Sequence, residues 1–278
     1  MKKILTFILT AMLTIGACIG FTACGKQLTG FDIELAKKTV DYLNEKYGTN
    51  VEVEFQEIDW DSKETLLENG TIDLVWNGMT ITEERAENMT ISVPYLKNKQ
   101  VAVVRKADLE TLGNKNEEEM VYGAESGSAG EDVIKEFPEN IEKVYAPTQL
   151  DALTQLDNGT IDVAIIDSVM AGYYTTNGAY KDKLVVVEGV VYAEEEYGIA
   201  AKKGNEALIS KINEALIALR ETGYTEVATA YGLNASCSIT AETVDNYASA
   251  TDNSWARVVE SGKLVIGYTV FAPIAFKK

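Results

Sequence analysis

Asn69-Gly70-Thr71-Ile72-Asp73 recurs later in the chain as Asn158-Gly159-Thr160-Ile161-Asp162, and the likeness extends past the five shared residues. Helix-forming stretches precede the copies, Ser62 to Glu68 and Gln149 to Asp157, and apolar runs follow them, Leu74-Val75-Trp76 and Val163-Ala164-Ile165-Ile166. Each copy reads as helix, glycine stop, strand, with Gly70 and Gly159 suited to the left-handed conformation that ends a helix. Chance recurrence of common turn residues is a weaker account once the flanks match as well. Two such units predict an α/β protein of two lobes. In open α/β sheets ligands lie beyond the carboxyl ends of strands. That singles out Asn77, Gly78 and Thr80 after the first strand and Asp167 and Ser168 after the second, facing each other across a cleft.

Around these units the pattern continues. A helix is predicted from Gly30 to Tyr47, and strands over Val51–Ile58, Gln100–Arg105 and Met120–Ala124. The loop Glu125-Ser126-Gly127-Ser128-Ala129-Gly130 leads into a helix over Glu131–Phe137. Strands follow at Lys183–Val191 and Gly198–Lys202, then helices over Asn205–Tyr231 and Thr243–Glu260. Alternating strands and helices predict parallel sheets covered on both faces. With 278 residues, 46% of them hydrophobic, the chain can bury a real core in one large or two medium domains. Its net charge of −18 argues against a nucleic-acid partner, which needs clustered Lys and Arg to displace counterions. The absence of histidine removes the Ser-His-Asp triad and the HExxH zinc site, so any catalysis would rest on carboxylates, Lys, Tyr or Cys.

At the start, Lys2 and Lys3 precede an uncharged apolar run from Ile4 to Ala23 that ends in small residues, the pattern of an export signal. A permanent anchor helix is the alternative, since about 20 apolar residues just span a bilayer. Phe21-Thr22-Ala23-Cys24 resembles a bacterial lipobox, with Phe21 where Leu is usual. That resemblance implies a lipoprotein signal peptide over residues 1–23 and lipidation of Cys24, holding an exported acidic protein at the outer face of the cell membrane or in the periplasm. Cys18 leaves with the signal, so Cys237 stands alone and no disulfide framework is expected.

Gly30-Phe31-Asp32-Ile33-Glu34-Leu35, followed by Val40 and Leu43, resembles the signature of bacterial extracellular solute-binding proteins of the polar amino-acid transport family, with Thr39 where that signature has an aliphatic residue or Ala. The order of the later segments is similar too: Asp59-Trp60-Asp61, Trp76-Asn77-Gly78-Met79-Thr80-Ile81-Thr82, Arg85, Ser92-Val93-Pro94-Tyr95, the Ser126–Gly130 loop and Ile161 to Asp167. The resemblance implies a two-lobed periplasmic-binding-protein-like (type II) α/β fold with a ligand cleft between the lobes. One segment is displaced. Members of the family begin with a strand of the form Lys-Leu-Val-Ile-Gly, then an aromatic residue and Pro, and here that segment closes the chain as Gly262-Lys263-Leu264-Val265-Ile266-Gly267-Tyr268, reaching Pro273. The order thus looks circularly permuted, the first strand supplied by the C-terminus; a fragment of a tandem array is the alternative. The expected organisation is lobe 1 over 24–98 and 193–233, lobe 2 over 99–192, a linker and helix over 234–261, and the permuted first strand over 262–278.

The resemblance further implies a free α-amino acid as ligand, an ABC transporter permease as partner, a monomer, no cofactor and no metal. A zwitterion needs a fixed cation, free N–H donors and an anion in one place. By analogy Arg85 makes a bidentate pair with the ligand carboxylate, and N–H groups of the Ser126–Gly130 loop, including Ser128 and Ala129, hold the same group. Ala129 replaces a hydroxyl residue usual in the family. Asp167, polar after four apolar residues, is the expected partner of the ammonium, with an N-cap role as the alternative. Asn77, Gly78 and Thr80 are expected to supply neutral contacts, and Trp60, Phe271 and Tyr268 the aromatic walls. The stretch before Phe271 lacks the acid that cationic-ligand binders add there, which argues against Lys or Arg as ligand. Closure is expected about crossovers near Leu96–Ala102 and Val190–Gly198. A dehydratase-like enzyme, a ligand-sensing domain and a non-transporting scaffold are the rival functions; for the enzyme, no group is evident that would tune the pKa of Asp167.

Overall fold

The computed structural model describes residues 27–112, 116–176 and 178–278; the expected signal segment over residues 1–23 and Cys24 lie outside the described residues. The chain opens with β1 (Leu28–Thr29) and α1 (Phe31–Tyr47), then β2 (Glu52–Glu57), α2 (Lys63–Glu68), β3 (Leu74–Thr80), α3 (Glu83–Asn88), β4 (Met89–Ile91) and β5 (Leu96–Arg105). A short α4 (Leu109–Leu112) leads to β6 (Val121–Glu125), α5 (Ala129–Lys135), β7 (Glu142–Ala146), α6 (Gln149–Asp157), β8 (Val163–Asp167) and α7 (Ser168–Thr176). Next come β9 (Leu184–Lys202), α8 (Glu206–Ala218), α9 (Thr225–Tyr231), α10 (Ser254–Ser261), β10 (Lys263–Tyr268) and β11 (Phe276–Lys277).

Among the described residues the main sheet runs β2-β10-β3-β9-β5-β8-β6-β7, with β4 beside β9. The 19-residue β9 is shared between two halves. Its first part pairs with β5, and its second part with β3 and β4. Two lobes result, one built on β2-β10-β3 and the other on β8-β6-β7, joined by the crossing strands β5 and β9. Because these two run antiparallel to their neighbours, each lobe carries a mixed sheet rather than the wholly parallel one expected. Leu35, Val40 and Leu43 of α1 join Leu74 and Trp76 of β3 and Leu208, Ile212 and Leu216 of α8 in the core of the first lobe.

The repeated pentapeptide has the same structure in both lobes. Gly70 and Gly159 have φ of 76° and 82°, and Asn69 and Asn158 each accept the N–H and hydroxyl of the Thr two residues on. Asp73 accepts the N–H of Val265 in β10 at 2.8 Å, as Asp162 accepts that of Val121 in β6 at 3.1 Å. β10 is therefore the first lobe's counterpart of β6, the middle strand of a parallel triplet. The C-terminal segment also satisfies the start of α1, where the Phe31 and Asp32 amides donate to the carbonyls of Pro273 and Ile274. β11 pairs with β1, and Gln27 and Lys278 exchange both backbone hydrogen bonds.

Three expected elements differ. The strands at 183–191 and 198–202 are one continuous β9. The helix expected from Asn205 to Tyr231 is interrupted by a π-turn over Arg220–Tyr224, where the buried Tyr224 donates to the carbonyl of Tyr95. The helix expected over Thr243–Glu260 is confined to α10. Upstream of it Asp245 and Asp252 accept the amides of Tyr247 and Ser254, and Asp252 also takes that of Ala207, so side chains bond to the backbone in place of helical carbonyls.

Candidate functional site

The strand ends converge on a small cavity between the lobes. Trp60, Asn77, Gly78, Thr80, Arg85 and Phe271 line it from the first lobe, and Ser128, Ala129 and Asp167 from the second. Nine residues named from sequence thus meet here. Ser168 does not line the cavity, its hydroxyl donating to Asn98, and nor does Tyr268. As the last residue of β10 it packs with Ile33 and Ala275 and edge-on to Phe55, away from the cleft, and the chain turns before Phe271 reaches it.

Arg85 lies in the first turn of α3, which Thr82 caps by accepting its amide at 3.1 Å. Its side chain is 7% exposed. Nη1 donates to the carbonyl of Thr80 at 2.8 Å and Nη2 to that of Gly127, across the cleft, at 3.1 Å. Among the described residues no carboxylate forms an ion pair with it. A buried guanidinium held only by neutral acceptors has its charge unbalanced, and an anion would balance it.

Opposite, Asp167 ends β8 and accepts from the side-chain amides of Gln149, Asn98 and Gln100. It does not cap α7: the amide of Val169 donates to Asn98 instead. Nor does it lack a group that tunes it. Glu195 of β9 shares its amide donors, and burial above all, then repulsion from Glu125, raises the Asp167 pKa. Burial and the charge of Asp167 push Glu195 up to about 8.

Other assignments narrow. The Gly78 amide turns away from the cavity to Asp32 (2.9 Å) and Tyr95 (3.2 Å). What Gly78 supplies is room: at φ 64°, a Cβ there would stand 2.7 Å from the Phe271 ring. In the small-residue loop, the amide of Ser126 is taken by Ala146, that of Gly127 by Glu131 and that of Ser128 by Glu125, leaving those of Ala129 and Gly130. The Ser128 hydroxyl caps α5. Asn77 donates to Thr269 at 3.1 Å while its own buried Oδ1 has no protein partner.

Sequence reasoning missed Glu125, Gln149, Thr269 and Val270 on the cavity wall. Glu125 ends β6 and Gln149 begins the helix after β7, so the rule that pointed to Asp167 would have found both had it been applied to every strand. Burial raises Glu125 to about 8 and lowers Lys63 to about 8. Lys63 lies over the Trp60 ring and donates to Gly127, while Ser126 donates to Asp61 at 2.6 Å. With Arg85, these contacts clasp the lobes together at Ser126–Gly127.

Burial also raises Asp32, beneath Gly78, from 3.8 to about 7, against the opposing hydrogen bonds of Tyr95 and Gly78. An acid raised in the folded state binds more protons folded than unfolded. Its contribution to stability is complete below the unfolded pKa and is lost as pH rises through the folded one. Asp32, Glu125 and Glu195 all act in this sense, so the ligand-free protein is expected to melt several degrees lower at pH 8 than at pH 5. Asp32→Asn should flatten the slope below about pH 7. Thermal melts across that range at constant ionic strength test this; a melting temperature that climbs towards pH 8 contradicts it.

The model of bacterial extracellular solute-binding proteins, family 3, matches residues 17–233. A probable histidine-binding protein of Neisseria gonorrhoeae is 32% identical over 200 residues, 71% of this chain and 72% of that protein. Among solved structures, an ABC uptake transporter substrate binding protein from Streptococcus pneumoniae with bound histidine is 35% identical with a TM-score of 0.63, covering 74% of this chain and 85% of that one. An ancestral amino acid-binding protein, a precursor of cyclohexadienyl dehydratase, is 29% identical with a TM-score of 0.64, covering 73% and 86%.

Proposed function

Since the chain belongs to the family 3 bacterial extracellular solute-binding proteins, we propose that it binds a free α-amino acid between its lobes and delivers it to the permease of an ABC transporter. The observation that carries this reading is the buried, acid-free guanidinium of Arg85 on one wall of the cavity with Asp167 on the other. The ligand carboxylate sits on Arg85 and the Ala129 and Gly130 amides, the ammonium on Asp167, and the side chain between Trp60 and Phe271. Binding favours the closed arrangement, in which Gly127 rests on Arg85 and Lys63, and that form is the one presented to the permease. The solute-binding relatives support binding without turnover; mass spectrometry of bound and released ligand separates this from a dehydratase-like activity.

Lobe 1 on this reading comprises 24–98, 193–233 and 262–278, and lobe 2 comprises 99–192, with 234–261 as linker. The element order is a circular permutation, supported by the equivalence of β10 and β6 and by the meeting of Gln27 with Lys278. Cys24 carries the lipid that holds the exported protein at the membrane surface. Among the described residues no helix is long and apolar enough to cross a membrane.

A thermal-shift panel of the twenty amino acids plus cystine tests the function. A ligand at 100 times its Kd stabilises the native state by about 2.7 kcal/mol, or roughly 5–10 °C for a protein of this size. At least one α-amino acid is expected to give such a shift; silence across the panel removes the reading.

A further inference from the structure

Asp167 and Glu195 form one buried unit where the ligand cavity meets the crossing strands. The Gln100 amide nitrogen donates to Asp167 Oδ1 at 2.7 Å and to Glu195 Oε1 at 2.8 Å, and that of Asn98 donates to the same two oxygens. Asn98 is oriented by its own Oδ1, which accepts from Ser168 at 2.9 Å and from the Val169 amide at 3.3 Å. Two carboxyl groups that share two donors and lie within hydrogen-bonding reach of each other cannot both be ionised at low cost. No Lys or Arg pairs with either of them among the described residues. The other titratable groups facing them are Glu125 on β6 and the buried Tyr197 hydroxyl on β9.

We propose that Asp167 and Glu195 hold a single proton between them in the empty protein, and that the ammonium of the bound ligand displaces it to solvent, making Glu195 a positioning residue that acts through Asp167. The inference rests on the amino-acid reading above and adds proton release and its carrier. In the empty site the carboxyl O–H and the neighbouring carboxylate together carry one negative charge. When the ammonium arrives against Asp167, the O–H bond breaks, its electron pair stays on the carboxylate and the proton passes to buffer. Asp167 then meets the cation as a carboxylate, with the Glu195 carboxylate behind it, and their amide donors remain in place. Burial and Asp167 hold Glu195 at about 8 when the site is empty. Affinity should therefore rise with pH from mildly acid conditions and level off above about 8. Asn98 and Gln100 belong to crossing strand β5 and Glu195 to crossing strand β9, so this charge change occurs where the lobes pivot.

Isothermal titration with each of the twenty amino acids and cystine, at pH 7 in buffers of different ionisation enthalpy, reads the protons released per ligand bound. The wild type is expected to release close to one, and Glu195→Gln close to none while still binding. Wild-type binding without release overturns the inference and leaves amino-acid binding standing. Release kept in Glu195→Gln but lost in Glu125→Gln assigns the proton to Glu125 and also overturns it. Absence of binding by every probe removes the amino-acid reading and this inference together. If Glu195→Gln does not fold, the wild-type release and its decline above pH 8 still decide.

Discussion

Arg85→Ala is expected to abolish the amino-acid-dependent thermal shift and to weaken binding by roughly 30-fold to several thousand-fold, the range that follows from a loss of about 2–5 kcal/mol when one partner of a buried charge pair is truncated. The effect is large because the guanidinium does two jobs. It ties Gly127 of the opposite lobe at 3.1 Å and, on the proposed reading, offers its remaining donors to the ligand carboxylate, so its loss should remove ligand contact and closure together. The empty protein should not suffer equally. A buried cation without an acid partner is a liability to stability, and the unliganded Arg85→Ala variant is expected to melt at or slightly above the wild-type temperature. Arg85→Lys keeps the charge but not the planar fork and should fall between the two. Calorimetric titration with the best ligand of the panel, paired with melts of the empty proteins, tests the claim; a Kd within threefold of wild type would place the ligand carboxylate elsewhere.

Ending the chain at Ser261 is expected to abolish cooperative folding. β10 pairs on both sides, with β2 and β3, and its Leu264 and Ile266 are fully buried. Deleting side chains of that size costs about 2–5 kcal/mol each, and the truncation also breaks two parallel ladders, orphans Asp73 and uncovers the first amides of α1. Together these exceed the roughly 5–15 kcal/mol by which domains are stable. The companion experiment moves residues 262–278 in front of Gln27 through an Asn-Gly turn. Gln27 and Lys278 already exchange hydrogen bonds at 2.9 and 3.0 Å, the register that a two-residue hairpin closes, so this rearranged chain is expected to fold and to bind the same ligand. Circular dichroism melts of the two chains decide. A truncated chain that unfolds with the wild-type midpoint would show that β10 adds nothing to the first lobe.

Much of the cavity lining was legible because it comes from strand ends, and strand ends are marked locally by a switch from apolar to polar residues. Asn77 and Asp167 carry that mark, and so does Glu125, whose mark is obscured by the run of small residues that follows it. Tyr268 was misplaced for the converse reason. An aromatic residue near a ligand motif can face the cleft or the core, and a strand's two faces cannot be told apart until its neighbours are known. Glu195 carried no local mark: it lies in an Ala-Glu-Glu-Glu-Tyr run that reads as solvated surface, and only pairing with β5 brings it to Asp167.

By itself the sequence determined the two echoing helix–glycine–strand units, the α/β class and the polar strand ends at Asn77 and Asp167, because backbone conformation and the periodicity of burial depend on residues a few positions apart. Only the tertiary structure decided that β10 takes the middle of the first triplet, that the Gly78 amide serves Asp32 rather than the cleft, and that Asp167 and Glu195 share two amide donors. Those outcomes rest on register between segments distant in the chain. No local pattern encodes such register; the packed lobes impose it through the few arrangements that bury the apolar faces and leave the buried polar groups bonded.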